Sequence, residues 1–149
     1  MPESTTSVQL NCSAERLREF LGQTANIPQI SDPELELEIL EAPEQITAGA
    51  TIEFRVSAYG FKQRITHKWT DVSATKIVAE QVDGPTRAWK HTQTIRSTGD
   101  ASCELTDHID FEPPGGMLGF VMTADKVQES IEEGMEFRYE TLQELLEDG

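Results

Sequence analysis

Cysteine, positive charge and long apolar runs are all scarce in this sequence, and each scarcity removes a class of function. Only two cysteines occur, Cys12 and Cys103. Neither a Cys-x-x-Cys nor a His-x-x-x-His spacing is present, so no metal site is expected. The pair reads as reduced thiols, with Cys103 a small core residue beside Leu105. Lysine and arginine number 12 against 27 aspartates and glutamates, a formal net charge of −15. Such an exterior repels phosphate backbones and anionic membranes, so nucleic acid is not an expected partner. No run approaches the roughly 18 apolar residues of a membrane span. Met1-Pro2-Glu3-Ser4 carries no basic-then-apolar leader, and a cytoplasmic location is expected. Gly115-Gly116 lacks the following Lys-Ser/Thr of a phosphate-binding loop and reads as a connector. No cofactor is expected.

What is present is organised around the stretch from Met117 to Leu146. Val121, Ala124, Val127, Ile131, Met135, Tyr139, Leu142 and Leu146 recur at three- and four-residue steps, the period of one helical face. Asp125, Lys126, Glu129, Glu132, Glu133, Glu136, Arg138 and Glu144 fall between them and are assigned to water. Gly134, inside this helix, marks a bend, a close approach or a tolerated cost. Near the other end, Met1 to Thr6 is expected to be flexible, followed by a short strand over Ser7–Asn11. Residues 7–149 are expected to form a single domain. Ser13 is a good N-cap for a helix through Leu21, ended by Gly22. A second short helix is expected over Asn26–Ile30.

The period then changes to two. Leu35, Leu37 and Ile39 alternate with Glu34, Glu36 and Glu38, as in a half-buried strand. Ile52, Phe54, Val56 and Ala58 form the next inward set, then Ile65, His67 and Trp69. A two-residue loop at Gly60-Phe61 joins them and sets Phe54 opposite His67. Strands over Thr75–Val82, around Trp89–Ile95 and over Cys103–Phe111 follow. Antiparallel strands closed by one long helix make an α+β layout.

The inward faces are not purely apolar. His67, Gln81, His91, Gln93 and Asp107 share parity with Trp69, Ile77, Trp89, Ile95 and Ile109. Polar groups on a concave face are costly unless paired or wet. A hairpin centred on Gly99 sets His91 opposite Asp107, whereas a slip of two residues would pair His91 with Leu105 or Ile109. A His91–Asp107 couple fits an acid–base site in which the carboxylate fixes the imidazole tautomer. It fits better a buried structural hydrogen bond without chemistry. No inward Ser or Lys accompanies it as a nucleophile. Phe54, Trp69, Trp89 and Phe111, with Phe61, Phe120, Phe137 and Tyr139, make an aromatic-rich interior. Apolar walls with a few convergent polar groups are the usual form of a small-molecule pocket. His108 falls on the outward face.

Residues Ile77-Val78-Ala79-Glu80-Gln81-Val82-Asp83-Gly84-Pro85, Trp89-Lys90-His91, Leu105-Thr106-Asp107-His108-Ile109-Asp110-Phe111 and Pro114-Gly115 resemble the ligand-binding SRPBCC proteins, the START-like or helix-grip superfamily that includes polyketide cyclase/dehydrase-like members. The resemblance implies a curved antiparallel sheet of about seven strands wrapped around the C-terminal helix. One or two short N-terminal helices and a hydrophobic cavity between sheet and helix complete that fold. Ala79 and Gln93 depart from the pattern, standing where an Asp and a second His are common. Both departures remove titratable groups, weakening an acid–base mechanism while leaving a binding one intact.

The expectation is therefore a binder or carrier of a small hydrophobic molecule, of lipid, isoprenoid or aromatic polyketide type. Phe54, Trp69, Trp89, Ile109 and Phe111 would supply walls, while His67, Gln81, His91, Gln93 and Asp107 would line or orient the polar end. The alternatives are a cyclase/dehydrase-type enzyme using His91 and Asp107, and a co-chaperone-like adaptor needing an exposed apolar patch. A homodimer is compatible with either binding reading.

Overall fold

The chain, in a computed structural model describing residues 2–147, is one curved seven-stranded antiparallel sheet closed by a long helix. Strand β1 is Glu3–Leu10, helix α1 is Ala14–Leu21, and β2 is Glu38–Glu41. Then come β3 (Thr51–Ala58), β4 (Phe61–Val72), β5 (Lys76–Asp83), β6 (Ala88–Gly99), β7 (Ser102–Glu112) and helix α2 (Ala124–Leu146). Strands β2 to β7 form a meander, and β1 adds at the far edge beside β7. Met1, Asp148 and Gly149, which the expected flexible terminus and domain include, lie outside the described residues.

Local chemistry places the helices. Ser13 has extended backbone and accepts a hydrogen bond from the Arg16 amide at 3.1 Å, starting α1 where the sequence places it. Gly22 ends it, its amide bonded to the Arg18 carbonyl. Ser13→Ala is expected to cost about 1 kcal/mol of stability by orphaning that amide, read as a lower denaturation midpoint. Thr123 caps α2 in the same way, through the Lys126 amide. The preceding Gly116–Phe120 segment is a 3-10 turn, so the long α-helix begins at Ala124, three residues after Val121 where the apolar period starts. In that turn Met117 and Phe120 are exposed, as is Phe61 in β4. Those two phenylalanines do not belong to the interior.

Four other expectations are corrected. Strand β1 begins four residues earlier than expected and pairs with β7 over its whole length, from Glu3 opposite Asp110 to Leu10 opposite Cys103. Its inward residues there are small and polar, Ser4 and Thr6, which carry no apolar alternation to read. The strand expected over residues 34–39 is broken. Asp32 caps a 3-10 turn over Pro33–Leu35, Glu36 takes a left-handed conformation, and β2 begins at Glu38. The β3–β4 loop is Tyr59-Gly60, with φ of 55° and 86°, both positive as in a type I′ turn. Phe54 therefore faces Ile65, and His67 faces Ile52. The β6–β7 hairpin is likewise displaced by two residues, with His91 opposite Ile109 and Gln93 opposite Asp107. Both slips are even, so every inward side chain stays inward. The expected second short helix is present as two 3-10 turns, Thr24–Asn26 and Pro28–Ile30.

Two buried apolar clusters form instead of one continuous core. The larger joins Leu10, Leu17, Leu21, Ile52, Trp69, Ile77, Ile95, Cys103, Leu105, Leu142 and Leu146. The smaller joins Ile109, Phe111, Met122, Val127 and Ile131. Both cysteines are buried, and neither forms a disulfide. Burial, with Cys12 beside it, pushes the Cys103 thiol up to about 12, which keeps it protonated and unreactive. Among the described residues, no helix is long and apolar enough to cross a membrane.

Candidate functional site

Between the two clusters lies a cavity of about 870 Å³, bounded by the concave face of the sheet, the 3-10 turns after α1, and α2. Both clusters contribute to its walls: Leu21, Ile30, Ile46, Ile52 and Trp69 from one, Ile109, Met122, Val127 and Ile131 from the other. The sheet's curvature and the side-chain alternation of β3 to β7 bring eight of the expected residues to this wall. They are Phe54, His67, Trp69, Gln81, Trp89, His91, Gln93 and Ile109. Asp107 and Phe111 do not line it; both are wholly buried behind it. Ala79 stands opposite Trp69 on one side and His91 on the other, so its small side chain leaves room between larger neighbours.

Asp107 is the centre of the polar part of the site. Its Oδ1 accepts a hydrogen bond from His91 Nε2 at 2.7 Å and from Arg138 Nη2 at 3.2 Å. Its Oδ2 accepts from Arg138 Nε at 3.2 Å and from the Tyr139 hydroxyl at 2.9 Å. Burial by itself would raise this carboxyl, but Arg138, then His91 and Tyr139, outweigh it and hold Asp107 well below the usual carboxylate range. An ionised Asp107 fixes the tautomer of its neighbour, since His91 Nε2 must carry the proton it donates. The Tyr139 phenol is pushed above its ordinary value, by burial first and by the Asp107 charge second. It shares a 2.8 Å hydrogen bond with Thr6, so β1 completes the network.

Because β6 and β7 are displaced by two residues, the His91–Asp107 bond runs diagonally between the strands rather than directly across. Imidazole is long enough to reach a diagonal neighbour. Gln93, directly opposite Asp107, accepts from Arg138 Nη2 through its Oε1 at 2.6 Å. Gln81 turns away from this group: its amide donates to the Thr86 carbonyl at 2.6 Å and accepts from the Thr86 hydroxyl at 2.8 Å. It clasps the β5–β6 turn and leaves neither end free.

His67 is different in kind. Its ring makes a T-shaped contact with Phe54, with centroids 5.1 Å apart at 86°. No hydrogen bond to its ring nitrogens comes from any described residue, and no buried side-chain nitrogen or oxygen is left unsatisfied. The ring lines the cavity. Burial, with a smaller contribution from His91, lowers its pKa to about 4, so the ring is neutral at pH 7.

Residues 10–136 match the family described as polyketide cyclase / dehydrase and lipid transport. The chain belongs to this family. Its fold is the helix-grip arrangement of SRPBCC proteins, and solved structures agree at low sequence identity. A protein from Chromobacterium violaceum superposes with a TM-score of 0.76 at 12% identity, covering 100% of both chains. The Zhui aromatase/cyclase from Streptomyces sp. R1128 gives 0.69 at 19% identity, over 96% of this chain and 89% of that one. A START superfamily protein from Mycobacterium smegmatis gives 0.64 at 19%, over 94% and 98%. No curated protein matches the chain in sequence.

Within this family member, the sequence left out several residues of the site. Arg138, assigned to water, is buried on Asp107. Gln63 is buried at the cavity wall, donating to the Ala58 carbonyl at 3.2 Å. Tyr59 reaches across from the β3–β4 turn to Ser130 on α2 at 3.0 Å. Away from the cavity, on the outer face of β1 and β7, Glu3, His108 and Asp110 place ligand atoms within 4.8 Å of one another. There His108 shares a 2.6 Å hydrogen bond with Thr5 and a 3.2 Å one with Asp110.

Proposed function

We propose that this protein binds a small hydrophobic molecule, of lipid, isoprenoid or aromatic polyketide type, between its sheet and α2. The observation that carries this reading is the 870 Å³ space itself, walled by Trp69, Trp89, Phe54, Ile109, Val127 and Ile131 with His67, His91 and Gln93 among them. Its volume lies in the range of sites that enclose drug-sized ligands. Family membership supports the reading, since lipid transport is half of the family's description. Native mass spectrometry of the protein purified from its own source tests it. A reproducible bound mass of a few hundred daltons is expected; bare protein that also fails to take up apolar probes would overturn it.

Gly134 gives the matching variant. A Cβ at this position of α2 would meet nothing within 4 Å, and the residue borders the cavity. The glycine is thus not required by a close approach, and it leaves volume open beside the cavity. Gly134→Leu is expected to hold or raise stability, by up to about 1 kcal/mol from helix propensity, while filling the cavity. Retained ligand should fall at least about tenfold in the variant. Unchanged retention would place the ligand elsewhere.

A second reading, acid–base catalysis of cyclase/dehydrase type, is favoured by the 2.7 Å His91–Asp107 bond with its fixed tautomer. In this reading His91 exchanges a proton with the bound molecule through Nδ1, and Asp107 positions the ring. A bound molecule recovered with altered mass after incubation would favour this reading over simple carriage.

A further inference from the structure

The two buried charges of the site answer each other. Arg138, the one guanidinium against the cavity among the described residues, has its Nε and Nη2 engaged by Asp107 and Gln93. Asp107 has both oxygens filled and does not reach the wall. Charge at the rim is mixed, with Lys62 among Asp32, Glu34 and Glu133, and the whole chain carries −15. An anion entering this space would lose its water and meet, in Arg138, a cation already neutralised by Asp107. Beside that pair, two imidazoles keep open nitrogens. His91 gives its Nε2 proton to Asp107, so in the neutral ring Nδ1 offers only a lone pair, and no described residue donates to it. His67, neutral and without a protein partner, offers one donor and one acceptor. The two imidazoles stand on β4 and β6 with only β5 between them, flanking the gap left by Ala79. Strand spacing of about 4.8 Å puts their backbones about 10 Å apart, and the concave face brings the rings toward one volume.

We infer that the occupant is an uncharged apolar molecule bearing a hydroxyl group, which donates its proton to His91 Nδ1 and is within reach of His67, and that carboxylates and phosphates are rejected. This rests on the ligand-binding reading above and narrows it. A hydroxyl is the group that both donates and accepts, which is what one lone pair and one neutral imidazole together require. An ether, an ester or a hydrocarbon leaves His91 Nδ1 dry and unpaired, and the site discriminates against it for that reason. Phenols and alcohols share this chemistry.

The test uses the intact wild-type protein and a matched probe series: 1-hydroxypyrene, 1-pyrenemethanol, 1-methoxypyrene and 1-pyrenecarboxylate at pH 7. Binding is read directly from energy transfer, because both tryptophans of the chain, Trp69 and Trp89, stand on the cavity wall. At least one hydroxyl probe is expected to bind about tenfold more tightly than the methyl ether, the worth of one satisfied hydrogen bond. The stronger of the two assigns the group to phenol or alcohol. The carboxylate should be weaker by about 100-fold or more. In His91→Phe the preference for hydroxyl over ether should vanish while the ether still binds. His67→Gln, which keeps a donor and an acceptor, should retain it. An ether or a carboxylate that matches the hydroxyl probes overturns the inference but leaves cavity binding intact. Failure of all four probes overturns both.

Discussion

Arg138→Met is expected to lower the stability of this protein by about 3–5 kcal/mol, because it leaves a fully buried carboxylate without its cation. Arg138 Nε and Nη2 both hold Asp107, whose side chain is wholly inaccessible. Domains of this size are stable by only about 5–15 kcal/mol, so the loss is a large share of the total. The pH dependence identifies the cause. In the wild type Asp107 is held far below its ordinary value, so it keeps its charge through mildly acidic conditions. Without Arg138 the carboxyl loses the largest influence holding it down and takes up a proton more readily than in the wild type. The deficit of the variant should then shrink as pH falls from 7 to 5. The double variant Arg138→Met/Asp107→Asn should recover most of the lost stability at pH 7, since no uncompensated charge remains. Urea denaturation of the three proteins at both pH values measures this. A deficit that is independent of pH, and not relieved in the double variant, would assign the effect to packing.

The second large effect belongs to His67. Its folded-state pKa, near 4, lies below the ordinary 6.5. Between those values the unfolded chain binds a proton that the folded chain refuses, so stability rises with pH across the window. The contribution is complete above about pH 6.5, falls by about 1.4 kcal/mol per unit as pH drops, and levels off below about 4. The full span is up to about 3 kcal/mol, reduced to the extent that water fills the cavity. His67→Phe keeps an aromatic ring beside Phe54 and cannot titrate. Denaturation midpoints at pH 7 and 4.5 should show the wild type losing about 2–3 kcal/mol more than the variant. Equal losses in the two proteins would mean that His67 is solvated and ordinary.

The sequence was most readable where alternation has a partner in burial. From Cys103 to Phe111 every second residue is buried, and the odd members of β6 and β7 alone placed His91, Gln93 and Asp107 near one another. Register was harder, because it depends on turn conformation. Tyr59 adopts positive φ although it is not glycine, which moved the β3–β4 loop one residue back and the pairing by two. β1 was shortened because Ser4 and Thr6 point inward without being apolar. Arg138 was legible in principle. The steps Val127, Ile131, Arg138, Leu142 keep helical phase with the buried face, and Arg138 is one of two basic residues in α2. A buried aspartate in an otherwise apolar strand face calls for a cation, and charge type misled where phase would have found it. The clasp of Gln81 on Thr86 has no signal in spacing, since it depends on how the β5–β6 turn folds back.

The place of β1 in the sheet has a kinetic side. Strands β2 to β7 meet their neighbours through successive hairpins, each closing a short loop. β1 reaches its partner across 103 residues at Thr5–His108, and α2 across 133 at Thr6–Tyr139. Closing such loops is slow, and its entropy is lost before any contact compensates. The meander therefore has the means to form first, with the N-terminal strand as the last piece laid down. Thr6 is then the final member to join the group around Asp107. Until it does, Tyr139 has its acceptor in place but not its second partner, and the interior beside it stays open to water.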